Sequence, residues 1–483
     1  MEHERFLRSG KKLSRQSKTV YTNGTELSNG FHGYKKDNEK LEKTEVAWYR
    51  KIFDQNVVPL FLILVTPQVG ILFWYTLKQC GGSYTELGVM FSEKSFFPGV
   101  YEIWSRTLHW PKDGLCFYIL IGYSAWALFL MALLPGEKVE GPITPKGNIP
   151  IYIDNGFKHY VVTMVSLAGL TVVLKQYGMS PSVVYDRFDE ILLILNVFSL
   201  IFCAFLYFKG LHAPSSTDCG TSGNPLFDYY WGTELYPRIF MFDVKVFTNC
   251  RFGMTVWGLL VAIFALKSYE LHGFVDSMFV SAFLQLAYIT KFFWWEAGYM
   301  RTIDIMLDRA GYYICWGCLV FIPSFYASVS LYLVAKPVNL GTTTSLLICL
   351  CGLTSIYINY IADWQKQRVR QTNGECLIWG KKPNILRAKY MLESGQERES
   401  ILLASGWWGM SRHFHYIPEI LLAFCWSLPA LSENIMPYTY VIFLIILLTH
   451  RSFRDDTKCG LKYGKFWAEY CRKVPHKIIP YLF

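Results

Sequence analysis

Four side chains near the C-terminus have a spacing that would let them form a chemical site. Arg451, Asp455, Cys459 and Tyr463 are each four residues apart, directly after the apolar run PYTYVIFLIILL. On a helix, this spacing places them in one stripe about 18 Å long that drifts about 40° per step. Because the stripe combines a guanidinium, a carboxylate, a thiol and a phenol, it is chemically mixed, and the spacing alone indicates a possible site.

A second group of candidate binding residues lies between positions 366 and 416. Lys366 and Arg370 are one helical turn apart, which would let both bind one anion; two basic side chains that extend from the membrane towards water are an equally good interpretation. The segment LLASGWWGMSRHFHYIPEI contains Trp408 and Tyr416, which could stack on a planar ligand. Together with Arg412, Arg451 and Asp455, these residues could bind a dinucleotide.

The usual nucleotide motifs do not occur in the chain. It has no GxGxxG, P-loop or GxSxG segment, so any dinucleotide site must be built differently. His413 and His415 are two residues apart and have no carboxylate or cysteine at ligand spacing, so no metal site is predicted.

Candidate proton donors occur in the segment FLQLAYITKFFWWEAGYMRTIDIMLDRAG. It contains Tyr288, Lys291, Glu296, Asp304 and Asp308 among aromatic and apolar residues. Charges at membrane depth are costly and usually face a polar cavity or each other. The alternative for the charged residues is an interfacial loop between two spans, where charges cost little. The alternative for Tyr288 is a buried tyrosine that only packs and forms a hydrogen bond.

The composition predicts an all-α, polytopic membrane protein. Of the 483 residues, 52% are hydrophobic and only 17% are charged, which is too apolar for an ordinary soluble protein. Strong runs of about 20 apolar residues begin at Val57, Leu115 and Ile191, and weaker runs bring the expected number of transmembrane helices to about ten. Residues 1–50 are polar and lack helical periodicity, so they predict a disordered arm before a membrane domain over residues 51–483.

The basic residues predict that both termini are cytosolic. Lys and Arg number 12 in residues 1–56, 9 in 364–416 and 8 after His450, but only 4 in the first loop between spans, 78–114. Ten spans would place all three basic segments on one side of the membrane. Because these residues follow the loops and do not form one basic arm, the net charge of +10 does not predict nucleic-acid binding. Most of the 13 cysteines lie in apolar runs or cytosolic segments, so free thiols are expected.

Several long motifs resemble one known family. The segments LLASGWWGMSRHFHYIPEI and LLTHRSFRDDTKCGLKYGKFWAEYC resemble the signature segments of the sterol reductase family, which includes Δ14-sterol reductases and the lamin B receptor. NCRFGM, KFFWWEAGY, DRAGYYICWGCLV and VEGPITPKGN are most similar to the plant Δ7 type. The resemblance covers nearly everything after residue 50. Leu307 departs from it, because the family usually has a histidine there.

The resemblance implies a multi-pass enzyme of the endoplasmic reticulum that uses NADPH to reduce the C7–C8 double bond of Δ5,7-sterols. Its partners would be the sterol, the bilayer and other enzymes of sterol biosynthesis. The cofactor contacts that it implies are Lys366, Arg370, Leu403, Trp408, His413, Phe414, His415, Tyr416, Arg451, Asp455, Cys459, Gly460, Leu461, Lys462, Tyr463 and Tyr470.

The chemistry of such a reaction requires an acid. No carbonyl polarises a ring alkene, so a proton must be delivered before hydride can add. We expect the acid to be Tyr288, Glu296, Asp304 or Asp455, with Trp294 and Trp295 stabilising the developing cation. A Δ14-sterol reductase and a non-catalytic sterol-binding membrane protein are the alternatives.

Overall fold

The computed structural model describes residues 53–144, 146–392 and 395–483. The predicted arm, residues 1–50, lies outside these ranges. Helices α1 to α8 and two short hairpins occupy the N-terminal half, in this order: α1 (Val58–Gln79), α2 (Tyr84–Lys94), α3 (Phe96–Thr107), α4 (Leu115–Leu133), β1 (Glu137–Glu140), β2 (Ile151–Asp154), α5 (Gly156–Gln176), α6 (Val183–Asp186), α7 (Phe188–His212), α8 (Pro225–Trp231), β3 (Arg238–Ile239) and β4 (Phe242–Asp243).

The C-terminal half contains the longest helices and a third hairpin. Its elements are α9 (Thr255–His272), α10 (Asp276–Trp294), α11 (Glu296–Tyr299), α12 (Ile303–Met306), α13 (Tyr312–Trp316), α14 (Ser328–Ala335), α15 (Thr342–Gln371), β5 (Ile385–Met391), β6 (Glu397–Leu403), α16 (Trp407–Met410), α17 (Tyr416–Ser427), α18 (Thr439–Tyr463) and α19 (Lys465–Lys473). π-helical segments precede α1 and α9 and join α13 to α14 (Phe53–Val57, Val246–Met254 and Gly317–Tyr326). Short 3₁₀ turns follow α17 and precede α18 (Leu428–Ala430 and Met436–Tyr438).

The chain is a multi-pass, helical membrane protein. Within the described residues, eight helices are long and apolar enough to cross a bilayer: Phe53–Gln79, Leu115–Leu133, Gly156–Gln176, Phe188–His212, Val246–His272, Tyr312–Ala335, Thr342–Gln371 and Met436–Tyr463. The expected count of ten is therefore not confirmed. Of the other two predicted spans, α10 contains Asp276 and Lys291, and α17 has only 12 residues. Both pack against α15, where protein supplies partners for polar groups.

Burial separates central helices from peripheral ones. The apolar windows of Val246–His272 and Tyr312–Ala335 are 72% buried, against 17% for Leu115–Leu133. Trp257 and Tyr326 of the central helices form a group of contacting aromatic rings with Trp426 of α17 and Tyr440 of α18. The 13 cysteines are free, as predicted.

The third hairpin lies at the C-terminal end of α18. Strands β5 and β6 pair antiparallel, with Ile385 opposite Leu403 and Met391 opposite Glu397. Ala388 and Leu402 of the hairpin share a buried cluster with Tyr463, Tyr470 and Val474. The hairpin is thus fixed beside the residues predicted to bind a cofactor.

Candidate functional site

The stripe predicted on α18 faces three different parts of the chain. Arg451 Nη1 lies 3.1 Å from Asp304 Oδ2, and Asp455 Oδ2 lies 3.7 Å from His413 Nε2. Further along the helix, Cys459 and Tyr463 pack in the cluster that holds the β5–β6 hairpin. The stripe therefore joins the 303–309 segment, the loop before α17 and the hairpin.

The loop before α17 is held in place by the C-terminal tail. The backbone N–H groups of Arg412 and His413 donate to the carbonyl oxygens of His476 and Lys477, at 3.0 and 2.9 Å. Ser411 Oγ donates to the Ile478 carbonyl at 2.6 Å. The Arg412 guanidinium also donates to the carbonyl oxygens of Val474 and Pro475, so this loop is tied to the tail by backbone and side-chain hydrogen bonds.

Aromatic rings of this loop stack on one another. The His413 and Tyr416 rings are stacked with centroids 5.0 Å apart, and the Trp407 and Phe414 rings with centroids 4.6 Å apart. His415 lies between Tyr416, at 4.4 Å, and Trp408, at 4.9 Å. Four of the residues predicted in this segment are therefore in ring contact with one another: Trp408, His413, His415 and Tyr416. The Phe414 ring stacks instead on Trp407.

The two predicted cations lie at the end of α15. Lys366 Nζ is 4.0 Å from the centroid of the Trp408 ring, whose Nε1 donates to the Ala362 carbonyl at 2.7 Å. Arg370 Nε donates to the Ile401 carbonyl at 3.3 Å on strand β6, so the guanidinium lies beside the hairpin. Both residues can offer positive charge to an anion.

Gly406 lets the chain turn between the hairpin and Trp407. Its φ is +62°, and a Cβ at this position would lie 2.3 Å from Gln365 Oε1. That oxygen accepts from the Trp407 backbone N–H at 3.1 Å. Any larger residue would therefore strain the backbone and push the loop away from α15.

The remaining predicted contacts have different surroundings. Tyr470 Oη donates to the Leu403 carbonyl at 2.9 Å, which ties α19 to the end of β6. Lys462 Nζ lies 4.1 Å from the Tyr390 ring centroid. The Leu461 side chain is on the exposed side of α18, next to Gly460, and does not join the group around Lys366.

Four buried polar atoms in the segment 407–415 have no hydrogen-bond partner in the described part of the chain. They are Trp407 Nε1, Arg412 Nε, His413 Nε2 and His415 Nδ1. Such groups are normally paired, so these four atoms are free to bond a polar ligand or water. Burial lowers the pKa of His413 to about 4, although Asp455 raises it, and burial followed by His413 lowers the pKa of His415 strongly. Both rings are therefore neutral at pH 7.

The predicted proton donor Tyr288 belongs to a network that the sequence analysis missed. Its hydroxyl donates a short hydrogen bond to Glu419 Oε1 on α17. Asn359 Nδ2 donates to Glu419 Oε2 at 2.9 Å and to the His415 carbonyl at 2.9 Å. Glu419 is the one acidic residue in the apolar run 416–430, which was the available signal.

The other predicted acids are in ion pairs. Glu296 is buried and pairs with Arg251, whose Nη2 also donates to Asn155 Oδ1 at 2.9 Å. Asp304 pairs with Arg451, as described above. The structure therefore brings Asp304 and Asp455 to the α18 stripe and leaves Glu296 in a separate cluster near the start of α5.

The tryptophans expected to stabilise a cation are not beside Tyr288. Trp294 is 52% exposed and packs edge-on against Phe157, and Trp295 Nε1 donates to Gln367 Oε1 at 2.9 Å. The rings that contact Tyr288 are Trp257 and Trp426, with centroids at 5.8 and 5.7 Å. These two rings could not be assigned from sequence, because their partners lie far away along the chain.

Comparison with known proteins decides the family. The model of the "Ergosterol biosynthesis ERG4/ERG24 family" matches residues 83–483. The chain belongs to this family. The ERG4/ERG24 membership confirms the resemblance noted in the signature segments, and it agrees with a helical, multi-pass membrane fold.

Similar curated proteins include two named 7-dehydrocholesterol reductase. The ERG4/ERG24 chain is 50% identical over 425 residues to the one from Arabidopsis thaliana, covering 87% of this chain and 96% of the relative. It is 35% identical over 457 residues to the one from Xenopus laevis, covering 90% and 94%. It is also 34% identical over 365 residues to a Delta(14)-sterol reductase from Methylotuvimicrobium alcaliphilum, covering 75% and 82%.

Proposed function

We propose that this protein reduces the C7–C8 double bond of Δ5,7-sterols such as 7-dehydrocholesterol with NADPH, in the endoplasmic reticulum membrane and with both termini cytosolic. The 50% identity to the Arabidopsis 7-dehydrocholesterol reductase over 96% of that protein supports Δ7 specificity over Δ14 specificity, for which the Methylotuvimicrobium relative is 34% identical. The chain would then act late in sterol biosynthesis, when the ring system is already formed.

The cluster of unpaired polar atoms at 407–415 is the observation that carries the cofactor proposal. Lys366 and Arg370 would bind phosphate, because both present cationic nitrogens at the end of one helix. The neutral His413 and His415 rings, Tyr416 and Asp455 would contact the sugar and amide groups. When bound, NADPH would supply a hydride.

The proton would come from a side chain of this protein. Of the four predicted acids, Glu296 and Asp304 would each have to leave an ion pair before giving up a proton. Tyr288 has no such pair in the described structure, and its ring contacts the Trp257 and Trp426 rings. We therefore assign the proton to Tyr288 Oη, with Asp455 as the second candidate because it lies beside the neutral His413 ring.

The test is sterol analysis in cells that lack Δ7 reduction. Membranes containing this protein are supplied with NADPH and either 7-dehydrocholesterol or a Δ8,14-sterol, and products are separated by gas chromatography. Loss of the Δ5,7 diene with appearance of the Δ5 product supports the proposal. Conversion of only the Δ8,14-sterol would instead identify a Δ14 reductase. If folded wild-type protein binds the sterol and converts neither substrate, the non-catalytic alternative is favoured.

Leu307 can be tested in the same assay. Leu307→Met serves as the size-matched control for Leu307→His, which restores the residue usual in the family. A gain of turnover in Leu307→His alone would show that the family histidine is needed for this reaction.

A further inference from the structure

Tyr288, Glu419, Asn359 and Lys291 form a chain of hydrogen bonds across three helices. Tyr288 and Lys291 are on α10, Asn359 is on α15 and Glu419 is on α17. Lys291 Nζ donates to Asn359 Oδ1 at 2.5 Å, and the other bonds follow as described above. Among the described residues, Glu419 forms no ion pair, because Asn359 separates its carboxyl group from the Lys291 ammonium.

Lys291 determines which way the Asn359 amide points. An ammonium group can only donate, so the amide atom facing Lys291 must be the oxygen. The amide nitrogen then faces the other way and donates to both the His415 carbonyl and Glu419 Oε2. With Glu419 ionised, the Tyr288 hydroxyl donates to Oε1, as described above. When Glu419 carries a proton, that proton sits on Oε1, because Oε2 is held as an acceptor, and the same contact then runs from Oε1 to Tyr288 Oη.

We propose that Glu419 supplies the proton that Tyr288 delivers to the sterol, through this fixed orientation. As the Tyr288 O–H bond breaks, its proton forms a new C–H bond with the alkene's π electrons. The Glu419 Oε1 proton moves to Tyr288 Oη at the same time. Glu419 ends as a carboxylate, Tyr288 as a neutral phenol, and the adjacent sterol carbon as a cation, to which bound NADPH would supply the hydride.

The surroundings of Tyr288 suit this transfer. The Trp257 and Trp426 rings contact the phenol ring, so its hydroxyl can turn while the ring stays in place. Tyr288 and Glu419 both keep some accessible surface, so the pair is not sealed in the core. Glu419 acts through Tyr288, and Asn359 and Lys291 are positioning residues. This inference rests on the proposed function, since it concerns the acid of the same reaction.

The decisive variant is Glu419→Gln. Glutamine can still accept from Asn359 through its oxygen, but its amide cannot supply an acidic proton. We expect kcat for the Δ5,7-sterol to fall about 100-fold or more, with KM for sterol and NADPH unchanged within about threefold. Glu419→Asp keeps a carboxyl group, so it should recover about tenfold over Glu419→Gln. Lys291→Met should reduce kcat about threefold to tenfold, because the Asn359 amide is then free to flip.

Glu270→Gln is the matched control. Glu270 accepts hydrogen bonds from the Ser180 and Ser182 hydroxyls at the far end of α9, so its substitution removes a hydrogen-bonded carboxylate outside the network. Turnover should match the wild type. If Glu419→Gln also matches the wild type within about threefold, or changes only KM, the inference is overturned.

An infrared difference spectrum tests the proton without turnover. A wild-type-minus-Glu419→Gln spectrum of purified protein should contain the carbonyl band of a protonated carboxylic acid, shifted in D2O. The corresponding Glu270→Gln spectrum should lack it. Absence of the band overturns the inference even if the wild type is active. Wild-type protein that reduces no sterol overturns the proposed function, and with it the role of Glu419 in this reaction.

Discussion

Two buried polar clusters of this protein differ in how completely they are paired. In the first, Arg251 and Glu296 are 1% and 2% exposed, and the guanidinium bonds both Glu296 and Asn155. In the second, the segment 407–415, four nitrogens have no partner in the described chain: one indole nitrogen, one guanidinium nitrogen and two imidazole nitrogens. Of the three side chains of the first cluster, only Arg251 Nε is left unpaired.

The difference is the one expected between a structural cluster and the proposed binding site. Unpaired polar groups cost free energy in the interior, so a cluster of them persists where a ligand provides the missing partners. In the buried ion pair, both terminal nitrogens of Arg251 and both carboxylate oxygens of Glu296 have partners, so it needs no ligand to balance its charges and instead positions the elements that carry it. Breaking each cluster should therefore change a different measured quantity.

The largest effect, on the stability of the folded protein, should come from breaking the Arg251–Glu296 ion pair. Arg251→Met leaves the Glu296 carboxylate buried without its partner, which should destabilise the protein by about 3–5 kcal/mol. The measurement is the amount and melting temperature of folded protein in detergent by fluorescence-detected size exclusion. The double variant Arg251→Met/Glu296→Leu should regain most of the loss. An Arg251→Met protein that melts like the wild type would show that the pair is not structural.

A smaller effect, on cofactor binding and not on folding, is expected at Lys366, which lies over the Trp408 ring of the segment 407–415. Lys366→Met removes one charge-assisted contact worth about 1.5–3 kcal/mol, so the NADPH KM should rise roughly 10- to 100-fold. Sterol KM and melting temperature should stay as in the wild type. Lys382→Met is the control, because the Lys382 side chain is 74% exposed and its ion pair in the described structure is with the equally exposed Glu375. Equal NADPH KM values in the two variants would exclude Lys366 from the site.

The stability of the protein should depend on pH through His413, which belongs to the segment 407–415. Burial lowers the pKa of His413 to about 4 in the folded protein, from about 6.5 in the unfolded chain. Between these values the unfolded chain binds more protons, so stability is complete above pH 6.5 and falls as the pH is lowered towards 4, by about 1 kcal/mol per pH unit. The melting temperature should drop between pH 7 and pH 5 in the wild type and drop less in His413→Gln. Parallel curves for the two proteins would contradict this assignment.

The smallest effect is expected at the border of the site. Tyr470→Phe deletes one neutral hydrogen bond to the Leu403 carbonyl, which should cost about 1 kcal/mol of stability and raise NADPH KM about twofold to threefold. Tyr438→Phe is the control, since it removes a comparable bond to the Leu431 carbonyl at 2.8 Å on an exposed turn. Its melting temperature should stay close to that of the wild type, and a larger loss there than in Tyr470→Phe would contradict the ranking.

Sequence reasoning predicted the membrane fold and much of the candidate site. Eight of the predicted spans are apolar over a full membrane thickness, a property that composition and run length report directly. The stripe on α18 and the Lys366–Arg370 pair follow from helical spacing, which is also local. The roles of these residues remain predictions.

Glu419 was missed because its partners are remote in sequence. Tyr288 is 131 residues away from it and Asn359 is 60 residues away. Within its own apolar run, the residues at helical spacing from Glu419 are Tyr416, Leu422 and Ala423, so no charged or amide side chain there indicated a network. Glu296 is the converse case: its charge looks isolated in the sequence, but Arg251, 45 residues away, pairs with it in the structure.

The sequence by itself determined that this chain is a helical membrane protein of the ERG4/ERG24 family, because apolar run length, helical spacing and motif identity are local properties. Only the tertiary structure decided which buried charges are paired and which remain open. That distinction depends on contacts between helices far apart in the chain, where a single opposing guanidinium or amide changes what a carboxyl group can do.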